Sequence, residues 1–221
     1  MIYCITGTNT DVGKTIATAA LAAHHAAKGA RVVVAKPVQT GEPVGHGDAA
    51  TISNLAGVET CEFVRYPEPL APNLSARRAA MPQPDRAELV QWIRSIEADF
   101  VLVEGSGGLL VRLADDFTLA DIAVDLGAPL IVVTTLGLGS LNAAELTVEA
   151  ARARGLDVVG LIGGSLPAEP DLATRLNLEE LPHVTGVPLL GCIPAGAGAM
   201  NQEQFCSQVR LNPVPLLPPA P

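Results

Sequence analysis

The chain has 221 residues, a formal net charge of −9 and a sequence pI near 4.8. That length suits one domain with a full core, and an acidic chain whose largest basic cluster is Arg77-Arg78 argues against a nucleic-acid partner. Aromatic residues make up only 3% against 48% hydrophobic, so the core must be built from Ala, Val, Leu and Ile, the mix of parallel strands buried under helices.

The first apolar run, Ile2–Thr6, predicts a strand that runs straight into a glycine loop, with no basic leader or cleavage site before it. "TGTNTDVGKT" (6–15) follows, and then a predicted helix over 14–28 with Ile16, Ala20, Ala23 and Ala27 as its packing face and His24 and His25 on its other sides. The loop departs from the common G-x-x-x-x-G-K-[ST] pattern by one position. Gly13-Lys14-Thr15 close it, yet the first glycine is Gly7 and not residue 8. The free N–H groups of a helix's first turn and its dipole still make an anion site there. Gly13 lets backbone approach a phosphate, Lys14 adds a point charge, and the Thr15 hydroxyl suits a magnesium ion.

Arg31–Lys36 is the second predicted strand, and "AKPVQTG" (35–41) ends it. Pro37 biases Lys36 toward extended backbone, so its ammonium projects at the strand end, where it can neutralise a transferred phosphoryl group or a carboxylated intermediate. Thr40 is a candidate substrate contact. Only three lysines exist, Lys14, Lys28 and Lys36, and two of them fall at strand ends. A helix over 48–57 follows, with Asp48 as its N-cap; a metal role for Asp48 requires loop 42–48 to fold back over Lys14 and Thr15. Residues 60–84 hold five prolines and read as an irregular connection with one short helix at most.

After a predicted helix over 85–98 comes strand Phe100–Glu104 in "FVLVEGSGGLLVRL" (100–113). Four apolar residues ending in an acid resemble a Walker B strand, with Glu104 in place of Asp as a magnesium ligand. A helix over 118–126 precedes strand Pro129–Thr135. Leu126 to Ala144 carries no charge, but its proline, glycines and hydroxyls read as strand, loop and helix start, not as a membrane span. In "TTLGLGSLNAAELT" (134–147), Ser140 or Asn142 caps the next helix, 142–154, whose free N–H groups suit a carboxylate. Strands Val158–Gly163 and Leu189–Ile193 alternate with helices over about 171–180 and 201–210. The tail "NPVPLLPPAP" should be loosely ordered.

Strand–helix alternation of this kind predicts an α/β fold with a central, mainly parallel sheet. Glycines follow all six predicted strands, which predicts one long site lined by backbone at their carboxyl ends. Cys4, Cys61, Cys192 and Cys206 lack metal or redox spacing, and Cys4 and Cys192 lie in apolar runs, as core thiols do. A reducing, cytoplasmic location is expected.

"TGTNTDVGKT", "KPVQTG", "VEGSGGLLV", "LGLGSLN" and "IPAG", in that order over residues 1 to about 200, resemble the dethiobiotin synthetases of biotin biosynthesis. The resemblance implies a P-loop NTPase-type domain over 1–210, a tail over 211–221, and a homodimer with the substrate site near its interface. It also implies a ligase that carboxylates 7,8-diaminopelargonic acid (7,8-diaminononanoate) with CO₂ and closes a ureido ring, using Mg²⁺ and ATP or another nucleoside triphosphate such as CTP. By the same resemblance, Asp11, Val12, Gly13, Lys14, Thr15 and Ile16 wrap the phosphates, and Glu104, Gly105, Ser106 and Gly107 join them. Thr15, Asp48 and Glu104 serve Mg²⁺, Lys36 is catalytic, and Thr40 contacts the diamine. Leu138, Gly139, Ser140, Leu141 and Asn142 help bind the substrate carboxylate. Gly164, Ser165, Pro194, Ala195 and Gly196 line the base pocket. Some relatives carry Asn-Asp where Gly164-Ser165 stand, so a base-reading amide is missing and the base is left open.

Three other readings share parts of this pattern. Partitioning or division-type switch ATPases have this fold, but they carry an extra lysine where this chain has Asn9. A corrin-amidating ligase normally needs a glutaminase domain, for which 221 residues leave no room. A non-catalytic nucleotide-binding module leaves Lys36 and Glu104 without a use.

Overall fold

The computed structural model describes residues 1–212; the predicted proline-rich tail lies outside them from residue 213 on. In chain order the elements are β1 (Ile2–Gly7), α1 (Lys14–Ala26), β2 (Val32–Thr40), α2 (Asp48–Ala56), β3 (Glu59–Tyr66), α3 (Pro72–Arg78) and α4 (Arg86–Arg94). Then follow β4 (Phe100–Gly108), β5 (Arg112–Ala114), β6 (Phe117–Thr118), α5 (Leu119–Leu126), β7 (Leu130–Thr134) and α6 (Ser140–Arg152). The last are β8 (Val158–Leu166), α7 (Leu172–Thr185), β9 (Leu189–Pro194), a short 3-10 turn (Ala197–Ala199) and α8 (Gln202–Gln208).

Seven strands form one parallel sheet in the order β3-β2-β4-β1-β7-β8-β9, with β5 and β6 as a small antiparallel hairpin. The chain leaves β1 toward one edge and later returns to the other. The carboxyl end of β1 is therefore the point where strand order reverses, the usual place for a ligand crevice. Apolar residues on both sheet faces match the near-continuous Val/Ile/Leu runs. One face packs against α1 and α2 and holds Tyr3, Ile5, Val34 and Leu102; the other packs against α4 and α5 and holds Cys4, Ala35, Val101 and Val103.

All six expected strands are present, and three more join them. β3 lies in the stretch read as irregular. Its sequence, ETCEFVRY, scatters Glu59, Glu62 and Arg65 along the strand, as a sheet edge permits and a buried strand does not. β2 runs on to Thr40 through Pro37. Its pairing with β4 stops at Ala35, which frees one side of the strand for a residue without an N–H. α7 extends five residues past its expected end, carrying Pro182 inside it.

His25 also differs from expectation. α1 is wedged between the sheet, α2 and α8, so it is buried on more than one face. His25 is buried with its ring 4.0 Å from that of Phe100, and burial, with His24 and Lys28 nearby, pulls its pKa down to about 4. Cys4 is fully buried, and burial pushes its thiol up to about 12, as expected of an inert core residue. Leu211, assigned to the tail, is buried against the core, and the N–H of Asn212 bonds to the carbonyl of Leu190.

Candidate active site

Register brings the central charges together. β2 and β4 pair Ala35 with Val103, so Lys36 and Glu104 stand at the same height on neighbouring strands. Alternation points both toward the α1–α2 face, since Val34 and Leu102, two residues earlier, pack there. Lys36 Nζ lies 2.9 Å from Glu104 Oε1 and donates to the carbonyl of Gly105 at 3.1 Å. Its third partner is Asp48 Oδ2 at 2.5 Å. Thr15 Oγ1 donates to Asp48 Oδ1 at 2.9 Å and stands 3.3 Å from Glu104 Oε1.

Loop 42–48 therefore folds back over the phosphate loop. The N-cap of α2 is Gly47, and Asp48 is the first helical residue; its side chain turns inward instead of capping. Its backbone N–H is held by Gln39 Oε1 at 2.9 Å.

Burial alone would pull the Lys36 ammonium down, but Glu104 and Asp48 outweigh it and the net shift is upward. Asp48 pays for burial too, yet Lys36 and the Thr15 hydroxyl hold its carboxyl below the usual range. Lys14 is shifted down, first by burial and then by the charge of Lys36. Its Nζ folds back to the carbonyl of Asn9 at 3.1 Å.

The lengthened phosphate loop turns on two residues with positive φ, Asp11 (58°) and Gly13 (94°). Gly13 is forced as well as permitted: a Cβ there would stand 2.6 Å from the carbonyl oxygen of Gly164. The converse contact is tighter, since a Cβ on Gly164 would sit 1.6 Å from the carbonyl oxygen of Val12. The end of β8 is thus a bare backbone shelf beneath the loop.

A cleft of about 1110 Å³ opens over these groups. Asp11, Gly13, Lys14, Thr15, Ile16, Lys36, Thr40, Asp48, Ser106 and Gly107 line it. Val12 is buried at the base of the loop, and Glu104 is wholly buried behind Lys36. The other sequence candidates lie elsewhere. Pro194, Ala195 and Gly196 sit beside the end of β8, where Leu166 pairs with Pro194 and accepts from the N–H of Ala195. Ser165 is exposed on the same rim. Leu138 is 95% exposed, Gly139 and Asn142 are exposed and Leu141 is half-buried. The Ser140 hydroxyl is buried and accepts from Asn177 Nδ2. The cleft covers the β1, β2 and β4 ends, and the β8 and β9 ends form a rim that adjoins the phosphate loop at Gly164.

Three residues with structural claims on the site had no assigned role. Gln39 was in view inside "KPVQTG", and its near-total burial in a cleft wall is what the motif hid. Arg65 and Glu62 lie in the unrecognised β3.

Two of the acids and a hydroxyl converge on one point, and Glu104 Oε2 is buried with no hydrogen-bond partner. Hard oxygen donors with one left unsatisfied fit a magnesium ion that takes its other ligands from phosphate and water. Among the described residues no group of three or more His, Cys, Asp or Glu forms a metal cage, and a nucleotide-dependent ion requires none.

A family model described as an AAA domain matches residues 2–203. The ATP-dependent dethiobiotin synthetase BioD of Corynebacterium diphtheriae is 61% identical over 94% of this chain and 95% of that protein. The protein of the same name from Corynebacterium efficiens is 58% identical over 92% and 94%. Among solved structures, the septum site-determining protein MinD with Mg-ADP from Pyrococcus horikoshii aligns with a TM-score of 0.62, covering 95% of this chain and 90% of that one. At 18% identity this last likeness establishes the P-loop NTPase fold and nothing further, so the switch-ATPase alternative retains only a shared architecture. With such relatives matching nearly end to end, and the shifted loop, Lys36 and Glu104 all in place, the chain belongs to the dethiobiotin synthetase family.

Proposed function

We propose that this chain is a cytoplasmic ligase that makes dethiobiotin from 7,8-diaminononanoate, CO₂ and a nucleoside triphosphate. The observation that carries the reading is the buried Lys36 ammonium, held by Glu104 and Asp48 beside Thr15 at the floor of the cleft. A cleft of about 1110 Å³ exceeds the usual space for one small ligand and suits two substrates side by side.

The chemistry needs positioning and charge neutralisation more than acid–base work. A neutral substrate amine adds to CO₂, giving a carbamate and releasing a proton. The carbamate oxygen takes the γ-phosphoryl group, and the nucleoside diphosphate leaves. The second amine then attacks the carbamoyl carbon, phosphate departs, and the ureido ring closes. The N–H groups of residues 11–16 and Lys14 hold the phosphates at the start of α1. Lys36 neutralises charge on the carbamate and on the phosphoryl group in transfer. Thr40, on the cleft wall, contacts the diamine. Thr15, Asp48 and Glu104 would hold magnesium, which when bound supplies charge neutralisation at the phosphates.

The base lies on the rim formed by Gly164, Ser165, Pro194, Ala195 and Gly196, reached across the Gly13–Gly164 contact. No amide side chain projects from residue 164, so recognition runs through backbone, and ATP competes with pyrimidine triphosphates such as CTP. Residues 138–142 do not line the cleft of their own chain, and Leu138 is almost wholly exposed. A second copy in a homodimer would bring this helix start to the substrate carboxylate. Among the described residues no helix is long and apolar enough to cross a membrane.

The test is incubation with labelled bicarbonate, 7,8-diaminononanoate, magnesium and a panel of nucleoside triphosphates. Label is expected in a ureido product. Its absence with every nucleotide would overturn the reading.

A further inference from the structure

Loop 42–48 delivers Asp48 to the site, yet it has little order of its own. Gly41, Gly45 and Gly47 all adopt positive φ, Val44 is 87% exposed, and the turn from the N–H of His46 to the carbonyl of Pro43 is a single 3.1 Å bond. What fastens it is Arg65 on the edge strand β3. Arg65 Nη1 donates to the carbonyls of Glu42 and Pro43, both at 2.8 Å, and Nη2 donates to that of His46 at 3.0 Å. Three backbone carbonyls of the loop thus hang on one guanidinium.

That guanidinium is itself held. Glu62, on the same strand, accepts from Arg65 Nη2 at 2.6 and 2.8 Å and from Nε at 3.1 Å. Register places Arg65 directly beside Gln39 of β2, whose Oε1 receives the N–H of Asp48. The loop is therefore pinned from outside by Arg65 and from inside by Gln39, with Asp48 at its end. Neither Arg65 nor Glu62 lines the cleft or reaches Lys36.

We propose that Arg65, locked by Glu62, is a positioning residue that acts through loop 42–48 to set Asp48 against Lys36 and Thr15. It touches no substrate. Its planar fork is the requirement, because a lysine cannot serve three carbonyls and a carboxylate from one nitrogen. The role of Asp48 at the site rests on the synthetase reading; the fastening of the loop does not.

A double-mutant cycle of Arg65→Ala and Asp48→Asn tests this, read by calorimetric binding of a non-hydrolysable ATP analogue with and without magnesium, and by amide exchange over 44–48. Arg65→Ala should raise the half-saturating magnesium concentration about tenfold, the usual size for an outer-shell partner. It should leave metal-free analogue binding within about twofold and speed exchange across the loop. In the Asp48→Asn background the same change should add less than about twofold. Arg65→Lys should behave as Arg65→Ala does, and it carries the test if the alanine variant proves unstable in a thermal melt. Fully multiplicative effects, or an equal loss of metal-free binding, would overturn the proposal. If the cycle couples as expected while wild-type protein forms no labelled ureido product, the synthetase reading falls and the positioning role stands.

Discussion

The two flanks of the sheet build their parts of the molecule from different materials. On the β3-β2-β4 side, and at the start of α1 beside it, the buried polar groups include the charged Lys14, Lys36 and Glu104 along with His25, Gln39, Asn73 and Ser75. On the β7-β8-β9 side they are Thr134, Ser140, Thr174, Asn177 and Thr185, none of which carries charge. The first flank concentrates side-chain charge at its strand ends, held by register and a folded-back loop. The second offers backbone, cleared of side chains at Gly164. On the proposed function, a transferred phosphoryl group would draw on the fixed charge of the first flank and a nucleotide base on the close shelf of the second, on either side of β1.

Removing charge from the first flank should do the most damage. Lys36→Met is expected to lower turnover by about 10³-fold, the scale of a lost electrostatic stabiliser, with analogue binding nearly unchanged. The variant also leaves Glu104 buried without its cation, which costs about 3–5 kcal/mol. Lys36→Met combined with Glu104→Gln should recover that stability in chemical denaturation but not the turnover. Equal losses of binding and turnover would remove Lys36 from the chemistry.

Adding bulk to the second flank comes next. Gly164→Ala places a methyl group on the carbonyl oxygen of Val12, so the phosphate loop must shift. A stability loss of about 1–3 kcal/mol is expected, together with a clear fall in analogue affinity by calorimetry. Unaltered affinity would mean the shelf has no part in holding the loop.

Acid should find a weak point on the first flank. An unfolded histidine takes up its proton near pH 6.5, whereas folded His25 resists until about 4. Its contribution is complete above 6.5 and is lost progressively as pH falls toward 4, because only the unfolded chain gains the proton in that window. His25→Leu should flatten this part of the Tm-against-pH curve, whatever offset it introduces. An identical slope in both proteins would place the acid sensitivity elsewhere.

The smallest effect is predicted on the rim. Ser165→Ala removes an exposed hydroxyl from the proposed base rim, and should change stability by less than about 0.5 kcal/mol. A marked change in base preference in a nucleotide panel would show that the second flank uses side chains after all.

Much of this division was legible in the chain. Strand–loop–helix order placed Lys14, Lys36 and Glu104 at strand ends, because buried parallel strands leave a strong apolar signature and their ends are marked by glycine. The fold-back of loop 42–48 was not legible. Asp48 before an apolar run looks the same whether it caps its own helix or reaches Thr15, and tertiary contacts such as the bond from its N–H to Gln39 decide. β3 escaped because an edge strand tolerates charges that break the apolar pattern, and with it went Arg65 and Glu62. His25 was misplaced because helical spacing identifies one packing face, while α1 has several neighbours.

The scarcity of lysine has a practical side. Of the three, Lys28 is exposed, Lys14 borders the cleft with its pKa lowered, and Lys36 is almost completely enclosed. An amine-acylating reagent followed by peptide mass spectrometry therefore meets three side chains with graded access, and Lys28 serves as the internal standard. With a nucleotide in the loop as proposed, acylation at Lys14 should fall, so the unaltered protein would carry its own occupancy probe without a tag or an engineered cysteine.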